Sequence, residues 1–240
     1  MKLHVLPGDS LVQEFQETLI PGEVAVCREC LIVGDVDADI LPDFWDQRAR
    51  FILAEYGGDE IEYHENVADE FAKLLDVSAD DEVNLWFEYE LFCSVNMWFC
   101  LWLLQDSDSA VYRVEPVVRT IEDRWKGFGG LDARQLRRCF DARMRFSADD
   151  ISLGADLWNA YRKADHERLW GLSATDSHCF PYLKDVINAE TEKDTKPKRI
   201  LNEIVAGGTT EFEDVFPDFV RRAGVYGFGD TQVKRILESD

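Results

Sequence analysis

The sequence predicts an α/β fold: a parallel sheet of about four strands in the N-terminal half, followed by an all-α half ending in a helix-turn-helix-like module. Three observations carry this. Short apolar runs alternate with amphipathic stretches as far as Val114, each of the first three runs ends in a cluster of polar residues, and from Leu131 onward only helical spacing is found. Strands joined by right-handed helical crossovers give a Rossmann-like or flavodoxin-like sheet.

Taken in order, residues 2–6 form the first strand. Asp9 or Ser10 can cap the helix that follows, in which Leu11, Val12, Phe15, Leu19 and Ile20 recur at helical spacing. Pro21-Gly22 ends that helix and residues 23–27 form the second strand. Pro42 sits early in a helix whose Phe44, Trp45, Ala49, Ile52 and Leu53 share a broad face, stopped by Gly57-Gly58. A helix around Val67 to Leu75 precedes the third strand, residues 82–87. The stretch from Leu91 to Leu104 is apolar nearly all round and predicts a central, doubly packed helix. Residues 110–114 form the fourth strand, ended by Pro116, and the expected sheet order is 2-1-3-4. Helical patterns then cover 131–146, 149–163, 165–173, 179–192, 197–206, 211–222 and 230–238. Gly127, Gly129 and Gly130 mark the join, so the expected division is an α/β domain over 1–120, a helical region over 121–195 and a helix-turn-helix-like module over 196–240.

The net charge of −22 is unevenly spread. Residues 1–120 hold 26 acidic and 7 basic side chains, net −19, and residues 121–240 hold 22 and 19, net −3. Such a first half repels polyanions, which disfavours duplex nucleic acid and anionic membrane surfaces as partners. The apolar stretch Leu91–Leu104 is shorter than the ~20 residues of a membrane span. The chain runs from Met1-Lys2 into a strand without a charged-then-apolar leader, and its six cysteines follow no disulfide framework; both predict a cytoplasmic protein with free thiols.

If the strands are parallel neighbours, the crevice outside their carboxyl ends collects the polar clusters. Gly8, Asp9 and Ser10 follow the first strand, in a turn suited either to an anion or to plain helix capping. Arg28 and Glu29 follow the second, and with Arg48 they can hold a carboxylate or phosphate, or pair among themselves. Glu88 and Glu90 follow the third; on a strand they face one side and one pKa rises into the general acid/base range, whereas in a helix they diverge. Asn96 is the polar exception on the apolar helix and must find partners, either backbone near the strand ends or a ligand. The candidate catalytic groups are therefore Asp9, Glu29, Glu88 and Glu90, and the candidate ligand-binding groups Gly8, Asp9, Ser10, Arg28, Glu29, Arg48, Glu88 and Asn96.

No residue is assigned as a metal ligand, although the acidic groups also suit a divalent cation. Cys27 and Cys30 lack the helix start of a redox pair and the second pair of a zinc site, and Cys93 and Cys100 read as core. Without G-x-G-x-x-G or a Walker lysine, neither a dinucleotide nor an NTP is inferred, and the cofactor is left unassigned. Arg134, Arg137, Arg138, Arg143 and Arg145 form the one concentrated basic stretch, which suits nucleic-acid phosphates or a small anion and is read first as an electrostatic partner for the acidic half. In the last helix Gln232, Lys234 and Arg235 are the side chains a DNA groove would meet, in a module surrounded by acids.

Several motifs together resemble the bacterial domain of unknown function 1835 family: His4-x-x-x-Gly8-Asp9-Ser10, Gly22-Glu23-Val24 followed by Arg28-Glu29 and Gly34, Phe44-Trp45-x-x-Arg48-Ala49, and Leu85-Trp86-Phe87-Glu88-Tyr89-Glu90-Leu91. A looser likeness runs through Leu157-Trp158, Phe180-Pro181-Tyr182-Leu183 and Tyr226-Gly227-Phe228-Gly229-Asp230, which in similar proteins belongs to a helix-turn-helix-like module. The chain departs from that pattern at Gly34-Asp35, where Gly-Pro is frequent, and at Tyr89 and Glu90, where His and Asp occur. The resemblance implies a shared architecture and site location, and no activity. The reading from the residues is a protein that binds a small polar ligand, phosphate- or nucleotide-bearing in one version, at the strand ends, with or without catalysis. The alternative is a regulatory or adaptor protein whose helical half binds a partner protein or nucleic acid.

Overall fold

A computed structural model describes residues 1–239. Five strands, β1 (Lys2–Leu6), β2 (Glu23–Val26), β3 (Glu82–Trp86), β4 (Ala110–Val114) and β5 (Met144–Arg145), form one sheet in the order β2-β1-β3-β4-β5. The first four are parallel and β5 is antiparallel to β4. The carboxyl ends of β1, β2 and β3 therefore share one edge. β5 departs from the all-helical expectation for the second half; at two residues it is too short to show an alternation, and only its pairing of Tyr112 with Arg145 and Arg113 with Met144 identifies it.

One face of the sheet is covered by α5 (Leu91–Leu103), whose hydrophobic circumference is buried as its composition requires. It packs along α7 (Ala148–Arg162), where Gly154 lies against Leu101 so closely that a β-carbon would overlap it. Phe99 joins Phe44 of α2 (Leu41–Tyr56) and Trp158 of α7, with ring centroids 5.0 and 4.8 Å away. Between α2 and β3 the chain is helical through α3 (Glu60–Tyr63), a π-helical turn (His64–Ala68) and α4 (Asp69–Ala72). The opposite sheet face packs Leu6, Trp86 and Val114 under Phe15 of α1 (Val12–Glu17) and Leu136 and Phe140 of α6 (Ala133–Asp141). His4 belongs to this layer: Trp86 Nε1 donates to His4 Nδ1 at 3.2 Å, and burial lowers its pKa to about 4.

The remaining helices are α8 (His166–Leu172), α9 (Leu183–Glu192), α10 (Lys196–Ala206), α11 (Phe212–Ala223) and α12 (Asp230–Glu238). The main cluster of buried apolar side chains runs from Leu3 through α5 and α7 to Val233, so the core does not stop at the expected join near Gly127. In the last three helices Ile200, Leu201, Ile204, Val215, Phe219 and Val233 are buried, with Phe212, Phe216 and Ile236 packed against them. Arg235 donates to Glu55 at 3.0 Å and Gln232 reaches Cys30 Sγ at 3.4 Å, which ties α12 to the N-terminal half. From the basic stretch, Arg137 donates to the Thr18 carbonyl at 2.7 Å and Arg143 lies 3.6 Å from Glu82. All six cysteines are free thiols, and among the described residues no helix is long and apolar enough to cross a membrane.

Candidate functional site

The polar residues expected to converge are sorted by the fold into three separate groups. Asp9 begins a one-turn 3-10 helix (Asp9–Leu11) ahead of α1, and it caps no helix by its side chain. Both its oxygens instead accept from Arg28 Nε, at 3.0 and 2.9 Å, and Arg28 also donates to the Asn66 carbonyl at 2.9 Å. The pair is open to solvent, with Asp9 65% exposed, and Ser10 is exposed beside it. Exposed ion pairs contribute little, so Arg28→Ala is expected to change the unfolding free energy by under about 1 kcal/mol in urea denaturation. A larger loss would give the pair a structural role.

Glu29 and Arg48 form the second group, and both are fully buried. Arg48 Nε donates to Glu29 Oε1 at 3.1 Å and Nη2 to Oε2 at 2.8 Å; its remaining donors reach the carbonyls of Val33 at 2.7 Å and Cys30 at 3.1 Å. Tyr63 also donates to Glu29, the Cys30 N–H bonds Glu29 Oε2 at 2.7 Å, and Asn96 Nδ2 donates to the Glu29 carbonyl at 3.0 Å. Burial and the Glu29 charge push the Tyr63 phenol up, which keeps it a neutral donor. Of the two expectations for these residues, ligand holding or pairing among themselves, the geometry is that of pairing: the guanidinium and carboxylate are spent on each other and on the loop after β2, and Asn96 bonds backbone through Nδ2. That loop has no backbone ladder, so a buried ion pair satisfies its carbonyls. The same loop makes the Leu31–Val33 segment a turn, with Val33 N–H bonded to the Cys30 carbonyl.

The third group is different in kind. Glu88 leaves β3 and Glu90 is the residue before α5, where its Oε2 accepts the Cys93 N–H at 2.8 Å. The strand has ended and the helix has not begun, so the two side chains neither alternate nor diverge. One donor atom each from Glu88, Glu90 and Cys93 lies within 4.8 Å of the others. Glu90 and Cys93 are buried and Glu88 is partly so. Burial, reinforced by the neighbouring Glu88 charge, pushes Glu90 up to about 8; burial raises Glu88 too, against the hydrogen bond that Phe128 N–H donates to it at 2.6 Å. Two carboxylates this close cannot both ionise cheaply, so near neutrality the pair holds one proton between them.

Two glycine turns close over the pair. Gly127 (φ +66) lies on the Glu88 carboxylate and Gly227 (φ +68) on that of Glu90, each so near that a β-carbon would collide. These turns are in a backbone region that favours glycine, and the approach to the acids demands it as well. Glu88, Glu90 and Cys93 are also the buried set that could hold a divalent cation, with two oxygens and a sulfur of the kind zinc accepts. Asp46, Glu60 and His64 show similar spacing on the surface, where acidic groups commonly gather for solubility.

Of the expected site residues, only Glu88 and Glu90 come together with unspent chemistry. Cys93, Phe128, Gly127 and Gly227 were not among the candidates. Their only sequence signals were a cysteine three residues after Glu90 and glycines flanking aromatic residues far along the chain. A further cavity lies elsewhere: a groove of about 1440 Å³ lined by residues from Glu122–Lys126, α9, α11 and Gly224–Tyr226. None of the expected site residues lines it, but it is bounded by the chain segments that continue into the two glycine turns. Comparison of the chain with protein-family models, with curated proteins and with solved structures finds no match.

Proposed function

We propose that this protein binds a small polar ligand at the carboxyl edge of its parallel strands, and that the Glu88–Glu90 pair meets that ligand and exchanges a proton with it. The observation that carries the reading is the proximity of two largely buried carboxylates with raised pKa values at the end of a central strand. Burying a second acid beside the first costs stability, and folding alone does not need it: the helix start could be capped by a neutral Ser or Asn. Such arrangements cluster at functional sites. Holding one proton, the pair can donate from one carboxyl and accept at the other, which is the equipment of general acid/base chemistry. Losing that proton, it offers two anionic oxygens to a cation, with the Cys93 thiol alongside. The pair repels a bare phosphate, and the expected phosphate ligands Arg28 and Arg48 are held by Asp9 and Glu29. A hydrogen-bonding or cationic ligand therefore suits the site better than a phosphate-bearing one. Kinship with the domain of unknown function 1835 family remains part of this proposal, on the motifs that include Glu88 and Glu90.

The test is a thermal-shift screen of the full chain with Mg²⁺, Mn²⁺, Zn²⁺, small amines, polyols and inorganic phosphate, repeated with Glu88→Gln. A compound at 100 times its Kd adds about 2.7 kcal/mol, which for a chain of this size raises the melting temperature by roughly 5–10 °C. The expected result is a shift with a metal, amine or polyol that Glu88→Gln abolishes while itself melting near the parent. No shift with any of these, or a shift that Glu88→Gln leaves intact, overturns the assignment.

A further inference from the structure

We infer that the groove between the Glu122–Lys126 segment and helices α9 and α11 is a second binding site, for a small organic anion that carries a planar ring. Two buried polar atoms in its lining lack a partner within the protein. The Tyr226 hydroxyl makes no hydrogen bond although the residue is only 1% exposed, and Arg124 Nε is likewise buried and unbonded. Buried donors without partners are rare, and two in the lining of one cavity mark places where a ligand supplies what the protein does not.

Charge gives the sign of that ligand. Lys126, Lys196, Arg221 and Arg222 of the lining each pair with a carboxylate, whereas Arg124 has no acidic partner among the described residues. The Arg124 guanidinium also lies 4.9 Å from the Trp125 ring centroid, so cation and aromatic surface are presented together. Burial and the Glu192 charge push the Tyr226 phenol up to about 12, which keeps it a neutral donor to an anion. Trp125 and Phe216 line the groove, and Trp170 and Val220 reach it while 40% exposed, an apolar surface suited to a ring. The site is independent of the carboxylate pair, which does not line the groove and would repel an anion.

The experiment is isothermal titration of the full chain with two aromatic anions, AMP and 8-anilinonaphthalene-1-sulfonate, with adenosine and inorganic phosphate as the separated halves of the first. At least one aromatic anion is expected to bind, and where it is AMP, to bind about tenfold more tightly than adenosine or phosphate. Tyr226→Phe removes only the hydroxyl and is expected to weaken binding about fivefold, and Arg124→Ala about tenfold or more, with Tyr226→Phe melting at or above the parent temperature. Absence of binding by both anions up to about 10 mM, or affinities that neither substitution changes, overturns the inference. So does adenosine binding as tightly as AMP. Failure of the Glu88→Gln screen would leave these outcomes unaffected, because no residue is shared.

Discussion

Arg48→Ala is expected to destabilise this protein by about 3–5 kcal/mol, the usual cost of removing one partner from a buried ion pair. The guanidinium is completely enclosed; without it the buried Glu29 carboxylate loses its cationic partner, and the carbonyls of Val33 and Cys30 lose their donor. Native domains have only about 5–15 kcal/mol in total, so the variant should melt on the order of 10 °C or more below the parent. Urea denaturation followed by far-UV circular dichroism measures it. Replacing both partners, as Glu29→Gln with Arg48→Met, should recover part of the loss because no charge is then left unpaired. A single variant within about 1 kcal/mol of the parent would show that water reaches the pair and that the loop after β2 does not depend on it.

Stability should also fall as pH rises, because of Glu90. Its folded pKa lies near 8 against an ordinary 4.5, so the folded chain retains a proton that the unfolded chain has released. The folded state binds more protons over that interval, and the slope of unfolding free energy against pH is negative. The contribution is fully present below about pH 4.5 and is lost progressively as pH rises through about 8. The loss over that interval is on the order of a few kcal/mol and belongs to the two coupled carboxyls together. Glu90→Gln keeps an oxygen to accept the Cys93 N–H and removes the charge, so it should flatten this part of the profile and be more stable than the parent at about pH 9. Parallel profiles for parent and variant between about pH 5 and 9 would mean that Glu90 titrates normally and that the pair shares no proton.

Acids that look alike in the sequence meet different fates in the fold. Glu29 and Glu88 both follow an apolar strand, and both belong to the motifs that suggested the site. The fold gives Glu29 a guanidinium, a phenol and a backbone N–H, and gives Glu88 a second carboxylate. The second carboxylate, two residues on, was legible in the sequence; the other partners lie far along the chain, Tyr63 34 residues from Glu29 and Phe128 40 from Glu88.

Periodicity and turn chemistry are short-range properties, and they were sufficient for the four parallel strands, the buried circumference of α5 and the helices of the second half. Neighbouring residues carry those signals; the order β2-β1-β3-β4 is a long-range pairing, expected only by analogy with doubly wound sheets and fixed by the fold. That Asn96 would look for backbone was equally readable, although only its Nδ2 finds a partner, the Glu29 carbonyl, and its buried Oδ1 has none. The tertiary structure alone decided that Asp9 and Arg28 close on each other in solvent, that Arg48 is consumed by Glu29, and that Gly127 and Gly227 come down on Glu88 and Glu90. It alone formed the groove in which Tyr226 and Arg124 lack partners. Each of these depends on contacts between residues tens to more than a hundred positions apart, where burial sets both the hydrogen-bonding obligation and the pKa; a side chain's chemistry is written in the sequence, but its dielectric surroundings exist only once the chain has folded.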